Sequence, residues 1–346
     1  MTSTREKDFS TRYSKLSFKL KGYIIDIFGI LLLKKIKDMD KIKNFVQFTT
    51  LSEGGAAIKA SRSIREDEFF LTLEHIKDVL FPLLDLDSRG EGKDYIVIGS
   101  AGKKKNPEDL SGDIDIGYDA NKYSVSNGIS VKDCNSHMAE FLKAELPKVL
   151  GFDPDMNNMK GLNVLSIGWP INKDPKNGVV QLDLIPVQNM KWAKFIYYSP
   201  DYRKDESSWK SAHRNWLLSA ALVAQREVLA KDEAGDVLDY KTPALILPSG
   251  LYLHTKSFRG KIKPRVKTPY KTADDVFVTD DPQEFIDYAL GKGYKEEDVK
   301  TFEKVLKIMT SPGFRYKENL PAIKGKFIEL LNRTSLPIPP ETELLA

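Results

Sequence analysis

The sequence predicts an α/β (α+β) chain, with a small mixed-sheet core in its first half and a mainly helical second half. Three observations predict this. Apolar residues recur at three- and four-residue steps over 66–84 and 131–150, the spacing of amphipathic helices. Short apolar or alternating runs at 94–99, 113–118, 162–168 and 179–187 read as strands. Helical spacing returns after residue 206. At ~150 residues per domain, 346 residues suggest two domains. The 17 Phe, 14 Tyr and 4 Trp supply enough apolar surface for real cores and argue against disorder.

Taken in order, residues 1–44 form a basic and apolar extension. Eleven Lys/Arg stand there against five acids, so the chain's net charge of +4 is concentrated at this end. The apolar run Tyr23–Leu33 is too short for a bilayer, which needs ~20 residues, and it contains Asp26. Lys34-Lys35 stands where a signal peptide would place a small-residue cleavage site. A short docked helix and a membrane-surface helix over 15–37 both fit the pattern. A natural start at Met39 would make residues 1–38 an extension.

The loop Ser52–Ile58 contains Gly54-Gly55 and reads either as a linker or as backbone that approaches a ligand. Helix 66–84 follows, with Phe69, Leu73, Ile76 and Leu80 on one side and acids in its first turn. Asp94–Gly99 reads as a buried strand and Asp113–Tyr118 as a strand with one polar face. Met138, Phe141, Leu142, Leu146 and Val149 mark one side of the next helix, over 131–150. Leu162–Gly168 and Val179–Val187 form a hairpin around the turn-rich 172–178. These elements define a domain at 45–190. A second, mainly helical domain over 191–335 opens with a helix from Trp209 to Lys231. A stretch with strand character follows over 237–258, then helices at 283–291, 296–310 and 320–333. The proline-rich tail 336–346 reads as loose.

Composition excludes several chemistries. One cysteine, Cys134, rules out a disulfide scaffold and a Cys-based zinc site. Four scattered histidines show no metal-ligand spacing. Gly99-Ser-Ala-Gly-Lys-Lys lacks the spacing of a Walker-type phosphate loop.

The candidate chemistry lies in Val97–Ile116. Gly99-Ser100 ends one strand, and twelve residues intervene before Asp113-Ile-Asp115. Side chains alternate along a strand, so Asp113 and Asp115 share a face about 7 Å apart. Two such carboxylates want a cation, and oxygen donors suit Mg²⁺. Asp183, flanked by apolar residues in its own strand, is a third acid of the same kind, and burying it calls for a metal or a cation. Three acids on neighbouring strands make a two-metal site. A glycine at a strand end lets backbone N–H groups approach phosphate, the Ser100 hydroxyl adds a donor, and Lys103, Lys104 and Lys105 could neutralise phosphate.

The pattern of apolar-Gly-Ser, then Asp-apolar-Asp, then a later apolar-Asp-apolar resembles the DNA polymerase β-like nucleotidyltransferase superfamily over roughly residues 66–190. The wording Gly-Ser…Ser-Gly-Asp-Ile-Asp-Ile after Glu53-Gly-Gly is also similar to stand-alone members in large tailed bacteriophages. The resemblance implies a nucleotidyltransferase core in which Asp113 and Asp115 bind two Mg²⁺ ions, with Mn²⁺ able to substitute. It implies that Asp183 binds the catalytic ion and helps deprotonate the acceptor, and that Gly99 and Ser100 hold the triphosphate of an NTP. It places a helical domain across the cleft. There Lys210, His213 and Arg214 read either as phosphate ligands or as a solvated helix face.

Residues 252–271 carry seven Lys/Arg with Tyr252, Phe258 and Tyr270 interleaved and no acid. Such a stretch suits single-stranded nucleic acid, through phosphate contacts and base stacking, or is an exposed basic loop. The expected function is transfer of NMP from an NTP to a hydroxyl with release of pyrophosphate. An RNA or DNA 3′ end, tRNA included, is the expected acceptor. The alternatives are nucleotidylation of a protein or small molecule, and a non-catalytic nucleic-acid-binding or virion protein that keeps the fold. The expected location is the cytoplasm, or host cytoplasm or virion for a phage protein.

Overall fold

A computed structural model describes residues 57–159, 163–231, 237–246, 249–257 and 271–345. The N-terminal segment 1–44, the Gly54-Gly55 loop and residues 258–270 of the basic, aromatic stretch lie outside the described residues.

The first half is built on a five-stranded mixed sheet in the order β2-β4-β7-β6-β5. Its strands are β2 (Tyr95–Ile98), β4 (Asp113–Asp119), β5 (Met156–Met159), β6 (Val164–Pro170) and β7 (Val179–Val187). A two-residue strand β1 (Ile64–Arg65) pairs separately with β3 (Leu110–Ser111). Within the large sheet, β4 and β7 run parallel, whereas the other pairs are antiparallel. β6 and β7 form the expected hairpin.

Helices α1 (Glu66–Leu83) and α3 (Cys134–Leu150) supply the cover. Leu73, Ile76 and Leu80 of α1 and Met138, Leu142 and Leu146 of α3 share one core with Ile114, Ile116, Leu165, Ile167, Leu182 and Leu184 of the strands. Because strand side chains alternate, this apolar face dictates the opposite one. Asp113, Asp115, Gln181, Asp183 and Ser166 all project to the other side of the sheet. The acids Glu66, Asp67 and Glu68 open α1, where negative charge complements the helix dipole. The Glu68 carboxylate accepts from the Arg65 N–H at 3.0 Å and takes both Arg62 terminal nitrogens at 3.0 and 2.8 Å.

Between β4 and α3 lies a short helix, α2 (Ala120–Asn127), that periodicity misses because it is mostly polar. Its start is set by Asp119, whose side chain accepts from the Lys122 N–H at 3.0 Å.

The second half carries the expected helices beside an antiparallel sheet larger than the sequence predicts. The helix expected over 209–231 is α5 (Ser211–Ala221), and the chain then pairs as strand β8 (Glu227–Lys231). β8 joins β9 (Val237–Ile246), β10 (Gly250–Ser257) and β11 (Lys271–Thr279) in a four-stranded antiparallel sheet. Nothing in Arg226–Lys231 stops a helix; long-range pairing with β9 overrides the local preference.

Helices α4 (Met190–Ile196), α6 (Pro282–Leu290), α7 (Phe302–Met309) and α8 (Leu320–Arg333) complete this half. Phe302 and Phe327 stack with centroids 5.7 Å apart, and Phe285 of α6 meets Trp192 and Phe195 of α4. The tail expected to be loose is instead packed. Leu345 is fully buried, Leu336 is buried, and the Pro337 carbonyl lies 3.0 Å from His213 Nε2. Among the described residues, no helix is long and apolar enough to cross a membrane.

Candidate active site

Parallel pairing places Asp115 of β4 beside Asp183 of β7, and Asp113 beside Gln181. All four point to the face away from the helices. Asp113, Asp115 and Asp183 are 7, 6 and 2 % exposed, and one carboxylate oxygen from each lies within 4.8 Å of the others. Sequence alone puts the first two acids on one face. The parallel register between β4 and β7 brings in the third.

The electrostatics follow from this crowding. Burial and the charges of Asp113 and Asp183 push the Asp115 carboxyl well above the usual carboxylate range. Burial raises Asp183 to about 6, against the opposing pull of the Ser166 hydroxyl and the Gln181 amide. Asp115 and Asp183 form no ion pair with any described cation. Three hard oxygen donors that repel one another and converge on one point fit a divalent cation such as Mg²⁺ or Mn²⁺.

Gly99 closes the cluster on the β2 side. Ile98 is the cross-strand partner of Asp115, and the next residue turns away with φ +79°. A Cβ at Gly99 would stand 2.7 Å from Asp115 Oδ2, so the position needs glycine both for its backbone angle and for the room. Ser100 follows, half-buried, and its carbonyl accepts from the Lys103 N–H at 3.2 Å. The loop is tied to α1 by Glu66, whose carboxylate accepts from the Gly102 N–H at 3.0 Å. Burial raises the pKa of that carboxyl.

The expected cations divide into two groups. Lys103 turns inward, with Nζ 3.3 Å from the carbonyls of Gly99 and Ser199, and burial lowers its pKa. Lys104 is also lowered by burial, with Lys210 as its strongest charged neighbour and Asp113 attracting it. Lys210 is exposed just before α5. These side chains and the acid cluster therefore share one neighbourhood.

Arg214 departs from the expected cleft-facing phosphate ligand. It is 1 % exposed and donates from Nη2 to the Phe195 carbonyl at 2.7 Å and to Asn215 Oδ1 at 2.8 Å. Burial lowers its pKa to about 9, which leaves it charged at neutral pH. His213 is equally buried and turned to the tail.

Arg214 nevertheless lines a cavity of about 530 Å³ beside the Gly99 turn, with Lys103, Lys300, Phe195, Tyr197 and Tyr198. Tyr197 reaches close enough to the acids that burial and the Asp115 charge together raise its phenol. The sequence reading missed this cavity because its walls come from four separate stretches. It also missed Gln181. The one available signal is a polar residue two positions before Asp183, on the same face of an otherwise apolar strand.

No family model, curated protein or solved structure matches the chain.

Proposed function

We propose that the protein is a nucleotidyltransferase that moves a nucleoside monophosphate from an NTP to a hydroxyl. The observation that carries this reading is the convergence of Asp113, Asp115 and Asp183 within 4.8 Å, beside a turn whose positive φ and closeness to Asp115 favour glycine at position 99. Mg²⁺ held by Asp113, Asp115 and Asp183 would neutralise the triphosphate and the departing pyrophosphate.

The chain's own groups supply the rest. The Gly99-Ser100 turn offers backbone N–H groups and a hydroxyl to phosphate oxygens, and Lys103, Lys104 and Lys210 balance their charge. The cationic, aromatic cavity walled by Tyr197, Tyr198 and Arg214 suits the remainder of a nucleotide. An Asp183 carboxylate oxygen takes the proton of the acceptor hydroxyl. The acceptor oxygen then bonds to the α-phosphorus. The bond from that phosphorus to the bridging oxygen breaks, and pyrophosphate leaves with the electron pair. An RNA or DNA 3′ end is the proposed acceptor, supported by the basic and aromatic composition of 252–271.

The test is a labelling panel. The protein is incubated with each α-³²P-NTP, Mg²⁺ or Mn²⁺, and total RNA, single-stranded DNA or cell lysate, beside the Asp113→Ala/Asp115→Ala variant. Label transferred only by wild type supports the reading, and the labelled band names the acceptor. Label absent from every macromolecule and small-molecule fraction would sink it.

A further inference from the structure

Gln181 is completely buried, and both ends of its side-chain amide are hydrogen-bonded. Its carbonyl oxygen accepts from the backbone N–H of Ala57 at 2.9 Å and of Ile58 at 3.1 Å. Its amide nitrogen donates to Asp183 Oδ1 and Oδ2, both at 3.0 Å. A glutamine amide has two ends of similar shape, and its surroundings decide which faces where. Here two N–H donors select the oxygen end, so the NH₂ end must face the carboxylate.

The segment that supplies those donors is itself fixed on β7. Arg62 N–H donates to the Val179 carbonyl at 2.9 Å, and Ser61 bridges Val179. Ile58 is 1 % exposed.

We infer that Gln181 is a positioning residue that holds the Asp183 carboxylate in the orientation that binds a divalent cation, and that the 57–58 backbone locks it. This rests on the reading of Asp113, Asp115 and Asp183 as a cation site. Residues that orient a metal-binding side chain typically change affinity by about 10–100-fold when removed. The backbone at 57–58 thus becomes a support of the site, reaching Asp183 through Gln181. An ion that fixes Asp183 must in turn steady Gln181 and tighten the two backbone hydrogen bonds behind it.

Two measurements on the full chain test this. Mn²⁺ binding followed by EPR should weaken about 10–100-fold in Gln181→Met, with an altered zero-field splitting of the bound ion and an unchanged circular-dichroism spectrum. In unmodified protein, Mg²⁺ should slow hydrogen exchange at the Ala57 and Ile58 amides. Wild-type affinity and spectrum in folded Gln181→Met would overturn the inference. Should that variant not fold, unchanged exchange at 57–58 on addition of saturating Mg²⁺ would overturn it instead. Mn²⁺ binding that Asp183→Asn leaves intact, or no binding by wild type, would remove the cation-site reading together with this one.

Discussion

At one end of the five-stranded sheet, Asp94 precedes β2, 5 % exposed, with the Lys122 ammonium 2.6 Å from its carboxylate and the Asp87 N–H at 3.1 Å. At the other end, Asp115 is equally buried, but its charged neighbours are two more carboxylates. The two ends shift a carboxyl in opposite directions. The hydrogen bond from Lys122 holds Asp94 below the ordinary carboxylate range, whereas burial and Asp113 push Asp115 above it. A buried acid paired with a cation from the chain stabilises the fold. A buried acid surrounded by its own kind is held at a cost, the usual mark of a site built for a ligand.

The largest expected effect comes from breaking the second arrangement. Asp115→Asn should lower nucleotidyl transfer on the order of 10³-fold and remove Mn²⁺ binding, in labelling and EPR measurements. The same substitution relieves repulsion, so metal-free Asp115→Asn should be more stable than metal-free wild type by about 0.5–2 kcal/mol in urea unfolding.

Asp94→Asn should do the reverse, costing about 1–3 kcal/mol at neutral pH. The sign with pH is set by its depressed folded pKa. The stabilisation is fully present above the unfolded value of about 3.9 and is lost as pH falls through the folded value. The gap between Asp94→Asn and wild type should therefore close in acid. The contribution of Asp183 runs the other way. Its folded pKa, near 6, lies above the unfolded value, so metal-free protein should lose stability as pH rises between the two. A stability–pH curve in which both ends of the sheet behaved alike would break the comparison.

Gly99→Ala sharpens it at the boundary of the site. The positive φ alone costs about 1–2 kcal/mol, and the added carbon meets Asp115 Oδ2. Both unfolding and Mn²⁺ affinity should register the change. The smallest effect is expected from an exposed pair, Lys191 and Asp281 at 2.7 Å. Lys191→Ala should shift stability by less than about 1 kcal/mol, and added salt should erase the difference. That result would show that burial gives the Asp94 pair its weight.

Much of this arrangement is legible in the sequence. The strand expected over 179–187 is the observed β7, and the alternation around Asp113 and Asp115 predicts their common face. Periodicity cannot choose strand neighbours, so it places Asp183 on a strand without showing that β4 is beside it. Gln181 escapes for a related reason: its partners at 57–58 lie far away in sequence, and no local spacing announces them. Polar α2 carries no apolar stripe, and β8 looks helical until β9 is available to pair with it. The packed tail is invisible for the same reason, because its anchor is a histidine on a distant helix.

The parallel seam between β4 and β7 also sets the order in which the sheet can assemble. β2 with β4, and β6 with β7, are antiparallel neighbours joined by the stretches 99–112 and 171–178. The chain from Asp119 to Val179 must be laid down before the two halves meet. Long-range closure of this kind is the slow, entropically costly step. It is also the step at which Asp115 first encounters Asp183. The repulsion between Asp113 and Asp115 is already present in the β2–β4 piece, and the final docking adds the Asp183 carboxylate to it. Refolding should accordingly quicken when Mg²⁺ is present from the start, which stopped-flow fluorescence of the four tryptophans can read. A chain built this way completes its tertiary structure most readily where the ion it is proposed to use is already at hand.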